Sequence, residues 1–101
     1  MKNAKNYFDM KIGETIKTFR KKKGISQKAL AEKSGISANA LCSIEKDKSF
    51  PSKETIKALC SSVEISPSHL LFASISEEDI PQNKREVFRV LQKPLLELLE
   101  S

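Results

Sequence analysis

Residues 26–45 read SQKALAEKSGISANALCSIE, and this stretch decides the fold. Two short apolar patterns, each opened by a serine, flank Gly35. In the first, over residues 27 to 34, Leu30 and Ala31 occupy inward positions. In the second, Ile36, Leu41 and Ile44 mark the inner side, with Leu41 and Ile44 spaced i, i+3. Helices below roughly 12 residues are marginal in water, so these two must pack on each other and on neighbours. Ser26 and Ser37 are placed to cap the two N-termini, their hydroxyls accepting from orphan backbone N–H groups. Gly35 supplies the left-handed residue that turns the chain after the first helix. The outward side of the second helix then carries Ser37, Ala38, Asn39, Ser43 and Lys46, none of which calls for burial.

Outward from this pair the helical signals continue. Ile12, Ile16 and Phe19, spaced i, i+4, i+7, predict a helix over about 11–23. Ser52, just after Pro51, caps a helix reaching about Val63 and burying Ile56, Leu59, Cys60 and Val63. A fifth helix starts at Ser66-Pro67, where a cap precedes proline at the first helical position; it is expected to bury Leu70, Leu71 and Phe72. A polar, acidic connector, Ser74 to Asn83, then leads into a final helix, with Asn83 and Glu86 spaced as a capping box. In that helix Val87, Phe88, Leu91, Leu95, Leu98 and Leu99 fall on one broad stripe. Pro94 removes the bond to the Val90 carbonyl and is expected to kink or split it near Gln92. No internal repeat, low-complexity segment or strand pattern is present, so the expected class is all-α.

The pattern from about Ile12 to Phe72 resembles the lambda-repressor-like, or Xre/Cro, helix-turn-helix family of bacterial and phage regulators. The resemblance rests on Gly24 before Ser26-Gln27, then Leu30-Ala31, Gly35, Leu41, Ile44-Glu45, Ile56, Leu59, Val63 and Leu70-Leu71. It implies a five-helix DNA-binding domain over residues 1–73; the resemblance stops after Phe72, and residues 74–101 read from their own pattern as an acidic connector and an amphipathic C-terminal helix. Asp47 and Glu64 stand where the family often has glycine. Aspartate tolerates the left-handed region better than most residues, whereas glutamate there costs about 1 kcal/mol.

Composition agrees. A chain of 101 residues suits one domain with a single core. Residues 1 to 24 carry eight basic and two acidic groups, residues 25 to 73 six and five, and residues 74 to 101 four and six. The basic end suits a polyanion and the tail does not. Lys21-Lys22-Lys23 complements the dipole at the end of helix 1 and is also available to phosphate. Cys42 and Cys60 lack the spacing of metal ligands, and His69, the only histidine, is distant in sequence. No metal and no cofactor is expected, and both cysteines read as buried reduced thiols at inward positions of helices 3 and 4. No segment has the roughly 18 apolar residues of a membrane span, and the N-terminus has no apolar signal core. The expectation is a cytoplasmic protein without a membrane partner. Nor is there a glycine-rich phosphate loop, a paired carboxylate motif or a nucleophile–base constellation, which argues against an enzyme.

The resemblance also implies roles. Ala38, Asn39 and Ser43 match positions that face bases in the major groove of double-stranded DNA, and a carboxamide such as that of Asn39 can bond adenine N6 and N7 together. Gln27 matches a glutamine that contacts phosphate and braces the recognition helix. Ser26, Ser37, Lys46 and Lys48 are placed for phosphates. Arg20 and Glu45 match a structural ion pair joining helix 1 to helix 3. The implied function is a sequence-specific transcriptional regulator, a repressor acting as a homodimer on a near-palindromic operator. The C-terminal stripe leaves two readings, a helix folded back on its own domain or a dimerisation element. The second is preferred because the five-helix domain is complete without it and a large exposed stripe marks an interaction site. An antitoxin-like module, whose C-terminal helix binds another protein, is the alternative.

Overall fold

The computed structural model describes residues 10–100. Six α-helices make up the described chain: α1 (Ile12–Lys22), α2 (Gln27–Ser34), α3 (Ala38–Glu45), α4 (Lys53–Ser62), α5 (Pro67–Ala73) and α6 (Arg85–Leu99). Two single 3-10 turns, Glu77–Asp79 and Gln82–Lys84, lie between α5 and α6. No strand occurs among the described residues, so the fold is all-α as the patterning predicts.

The helices follow the predicted spacing because their ends are written in the sequence. Ser26, Ser37, Ser52 and Ser66 each sit in extended backbone and accept from the amide three residues on, at 3.0 to 3.2 Å. The helix before each of these serines ends on a left-handed residue: Gly24 (φ 69°), Gly35 (φ 74°), Asp47 (φ 58°) and Glu64 (φ 63°). At all four, paired amides close the turn, as where Ile36 N donates to Ala31 O and Gly35 N to Glu32 O. Three of the junctions share one three-residue form, a left-handed residue, an isoleucine and a capping serine: Gly24-Ile25-Ser26, Gly35-Ile36-Ser37 and Glu64-Ile65-Ser66. Ile25, Ile36 and Ile65 pack against the core, so each turn is pinned from inside while its serine opens the next helix.

That core consists of Ile12, Ile16, Leu30, Ala31, Leu41, Ile44, Leu59, Cys60, Val63 and Leu70. Residues from all five of the first helices meet in it, which gives helices of seven to eleven residues the tertiary support they lack alone. Ile56 is only half buried, a small departure from expectation.

Larger departures lie after Leu70. Leu71 and Phe72, expected in the core, are each 41 % exposed, while His69 is buried in their stead. On α5, only two turns long, the face meeting α1 and α4 is filled by His69 and Leu70. The connector is ordered by Asp79, whose Oδ2 accepts from both the amide and the hydroxyl of Ser76. The box expected from Asn83 and Glu86 does not form. A 3-10 turn over Gln82–Lys84 runs directly into α6, whose start at Arg85 has no side-chain cap. Pro94 does not split the helix, which continues through it to Leu99. The one intrahelical bond that proline forgoes is less than the packing retained on either side.

α6 packs on α5 and the two 3-10 turns. Phe88, Leu96 and Leu99 are half buried, and the exposed Arg89 guanidinium is hydrogen-bonded to both oxygens of Glu77 at 2.8 and 2.9 Å. Val87, Val90, Leu91, Leu95 and Leu98 remain exposed, Leu98 at 80 %. One side of the final helix therefore folds back on its own domain, the reading not preferred from the sequence, while its other side stays exposed.

Gly13 marks the tightest approach in the core. A Cβ there would lie 1.7 Å from the Ile44 carbonyl oxygen and 2.9 Å from Asp47 Oδ1. Alanine is intrinsically better than glycine in a helix by about 1 kcal/mol, yet Gly13→Ala should destabilise by about 3 kcal/mol or more because α1 and α3 must separate. Urea denaturation reads the sign directly, and a stabilised variant would refute this account of the contact.

Candidate nucleic-acid interface

The interface is built from the clamp that sets α3. Both carboxylate oxygens of Glu45, the last residue of α3, are engaged: Arg20 Nε donates to Oε2 at 2.7 Å, Arg20 Nη2 to Oε1 at 3.1 Å, and Gln27 Nε2 to Oε1 at 3.0 Å. Arg20 Nη1 also donates to the Ile25 carbonyl at 3.0 Å. One carboxylate thereby ties α1, the α1–α2 turn, α2 and α3 together. The Glu45 side chain is 2 % exposed and that of Arg20 11 %, so the fork-on-carboxylate geometry operates away from water, where charge-assisted bonds are strongest.

A second clamp was not legible in the sequence. Lys11, which precedes α1, provides no side-chain cap. Asp47 supplies it from the turn after α3, accepting from Gly13 N at 2.8 Å and Glu14 N at 3.1 Å. Its left-handed backbone aims the carboxylate back at the start of α1, whose dipole favours a negative charge there. The only signal in the sequence is an aspartate at a position expected to be glycine, together with a helix start that lacks its own cap.

Held at its C-terminal end, α3 presents Ser37, Ala38 and Asn39 to solvent, with Lys46 and Lys48 exposed just beyond that end. Ser26 stands exposed at the start of α2, its oxygen occupied by Ala29 N, and the Ser37 oxygen is likewise occupied by Ala40 N. Both hydroxyls keep a hydrogen to donate. Ser43 is half buried and its oxygen accepts from Ser49 Oγ at 3.1 Å, which leaves its hydrogen to donate and one lone pair to accept. Gln27 is half buried against Glu45 and retains one amide hydrogen and its carbonyl oxygen.

Cys42 departs from its expected place. It is half exposed, one turn after Ala38 and one turn before Lys46, on the edge of the outer face rather than inside. Cys60 is buried as expected, and burial pushes its thiol up to about 11. Of the lysine triplet, Lys23 is tied to Glu64 at 2.9 Å and Lys22 lies over the Phe19 ring at 5.7 Å. The Lys23 ammonium holds the Glu64 carboxyl below its usual range. That contact offsets part of the cost of glutamate in a left-handed turn.

Among the described residues no group of three or more His, Cys, Asp or Glu side chains is placed to hold a metal ion, and no helix is long and apolar enough to cross a membrane.

Comparison with known proteins points the same way as the geometry. A helix-turn-helix family model, HTH_3, matches residues 16–70. The immunity repressor protein of Bacillus phage phi105 is 30 % identical over 96 residues, an alignment covering 83 % of this chain and 67 % of the relative. The P22 c2 repressor, crystallised with a synthetic operator, is 36 % identical with a TM-score of 0.56, over 58 % of this chain and 89 % of that one. The clp gene regulator ClgR of Corynebacterium glutamicum shares the fold at 21 % identity, with a TM-score of 0.69 over 93 % of this chain and 99 % of that one.

The clamp yields a test. Removing one partner of a buried ion pair leaves the other charged and unsatisfied, which costs about 3–5 kcal/mol. Arg20→Ala should therefore lower the melting temperature sharply, by about 10 °C or more for a domain of this size. A melting curve that coincides with that of the wild type would show that the clamp contributes nothing to stability.

Proposed function

We infer, from the premise that this chain belongs to the lambda-repressor-like, or Xre/Cro, helix-turn-helix family, that it is a DNA-binding regulator of the repressor type that reads an operator through α3. The observation that carries this reading is the pair of clamps on α3. Glu45 and Asp47 fix the helix end while its opposite side shows small polar groups and two free-standing lysines. A helix held this rigidly, with only small side chains outward, is suited to enter a major groove, where shape and hydrogen bonding decide the fit.

Within that reading Asn39 is the principal base-reading residue, its carboxamide able to bond adenine N6 and N7 together. Ala38 meets a thymine methyl group. Ser43 is short and keeps both a donor hydrogen and a free lone pair beside its bond from Ser49, so it suits either kind of base edge. Ser26, Gln27, Ser37, Lys46 and Lys48 hold the phosphates. The small size of the base-facing set gives each half-site modest discrimination, with the remainder from phosphate contacts and DNA shape. Residues 1–73 serve DNA and residues 74–101 serve association; of these, residues 1–9 lie outside the described part of the chain.

The operator is near-palindromic and bound by a homodimer. The exposed apolar side of α6 supports that assembly. Leu91, Leu95 and Leu98, with Val87 and the Leu71 and Phe72 side chains of α5, are large apolar side chains left exposed, and exposed apolar patches mark interaction sites. Two copies related by a two-fold axis place their half-sites about 34 Å, or 10 bp, apart, or a multiple of that.

Selection of bound DNA from a random library at moderate salt should enrich inverted repeats. Asn39→Ala should then relax preference at one base position per half-site, at a cost of about 1–3 kcal/mol in discrimination. Failure to enrich any motif would remove the regulator reading, and an unchanged motif with Asn39→Ala would remove that residue from the reading set. Assembly has its own measurement: Leu98→Asp should convert a dimer to a monomer in sedimentation equilibrium while leaving helical content intact. A wild-type chain that sediments as a monomer at high concentration would overturn the homodimer.

A further inference from the structure

A hydroxyl inside a helix has a ready partner in its own backbone, the carbonyl four residues back, and taking it ties the side chain to the helix rather than to a neighbour. Thr15, Thr18, Ser62 and Ser74 all do this, donating to the carbonyls of Lys11, Glu14, Ala58 and Leu70 at 2.7 to 3.1 Å. Ser43, near the end of α3, behaves differently. Among the described residues it makes no bond to the Asn39 carbonyl, and its oxygen accepts from Ser49 Oγ at 3.1 Å.

Ser49 is held in place by contacts that its own hydroxyl does not supply. It lies exposed in the turn after α3, two residues beyond Asp47, whose carboxylate is fastened to the Gly13 and Glu14 amides. The Lys48 amide donates to the Ser43 carbonyl at 3.0 Å. On the far side Phe50 packs against the core and Pro51 is buried. The turn is therefore fixed before and after Ser49, and it carries that hydroxyl to Ser43.

A lone serine is a weak reader of bases, because rotation of its hydroxyl lets it donate or accept toward either kind of edge. A second hydroxyl bonded to it removes much of that freedom. One lone pair is filled, the oxygen is held at one place, and the remaining hydrogen and lone pair take directions fixed relative to α3. We propose that Ser49 is a specificity-determining positioning residue, which holds the Ser43 hydroxyl off the Asn39 carbonyl so that the two serines read one base position as a unit. The proposal rests on the reading of α3 as the helix that enters the groove, and Ser49 acts through Ser43.

Two measurements on the full chain test it. Without DNA, the Hα–Hβ couplings of Ser43 report its side-chain rotamer: the wild type should show one staggered state, and Ser49→Ala a switched or averaged one. In selection from a random DNA library, Ser49→Ala and Ser43→Ala should relax preference at the same base position by about two- to tenfold. The position read by Asn39 should not change, and the double variant should be no more relaxed than Ser43→Ala alone. Ser49→Thr keeps the hydroxyl and should keep the motif. The melting temperature of Ser49→Ala should stay within about 4 °C of the wild type, since other residues hold the turn. The proposal is overturned if the Ser43 couplings are the same in Ser49→Ala, if that variant weakens all sites alike as loss of a phosphate contact would, or if Ser49→Thr behaves as Ser49→Ala. A wild type that enriches no motif removes the operator reading and the role of Ser49 with it, whereas a wild-type motif that Ser49→Ala leaves intact overturns this proposal alone.

Discussion

Everything that α3 presents depends on the satisfaction of one carboxylate. Glu45 is withdrawn from water almost completely, a state that costs several kcal/mol for an ion unless its oxygens are bonded. Arg20 and Gln27 bond both, and Arg20 spends a further donor on the Ile25 carbonyl. Because the partners come from α1, α2 and the turn between them, no one of these elements can shift without exposing an unpaired charge. Helices α2 and α3 have eight residues each and no stability of their own. Their relative placement is therefore set by core packing and by this clamp together, and the outward face is rigid as a consequence.

Asp47 performs a complementary task at the same end of α3. Its left-handed backbone ends the helix as a glycine would, and its side chain does what glycine cannot, capping α1 across 34 residues of sequence separation. Gly13 permits that closeness by having no Cβ where the Ile44 carbonyl sits. Glu64, at the corresponding place after α4, shows the weaker solution, a strained backbone offset by an exposed contact to Lys23. The two acidic replacements are chemically alike and structurally different, because only one has orphan amides within reach.

The C-terminal third obeys a different economy. Arg89 on Glu77, and Asp79 on Ser76, order the connector so that α6 lies against α5. That docking consumes only one side of α6, and with Leu71 and Phe72 turned outward from α5 the exposed apolar surface spans two helices. The surface is broader than the stripe on α6 alone suggests, and it belongs to the body of the protein rather than to a detached tail.

Local chemistry was readable from the residues themselves. The four capping serines, the left-handed turns at Gly24 and Gly35, proline at the first position of α5 and the i, i+3 and i, i+4 apolar spacings act within one or two turns, so linear order suffices to place them. Arg20 and Glu45 were reachable only through likeness to a family, since nothing in the 24 intervening residues declares that they meet. Asp47 capping α1, the outward shift of Cys42 and the burial of His69 against Phe19 depend on distances between segments remote in sequence. The same holds for Leu71 and Phe72, whose apolar character promised burial that α1, α4 and α6 leave incomplete. Sequence alone determined which helices form and where the first five of them end, because capping and periodicity are local; tertiary structure decided which faces stay free, because that is settled by what the other helices have already covered.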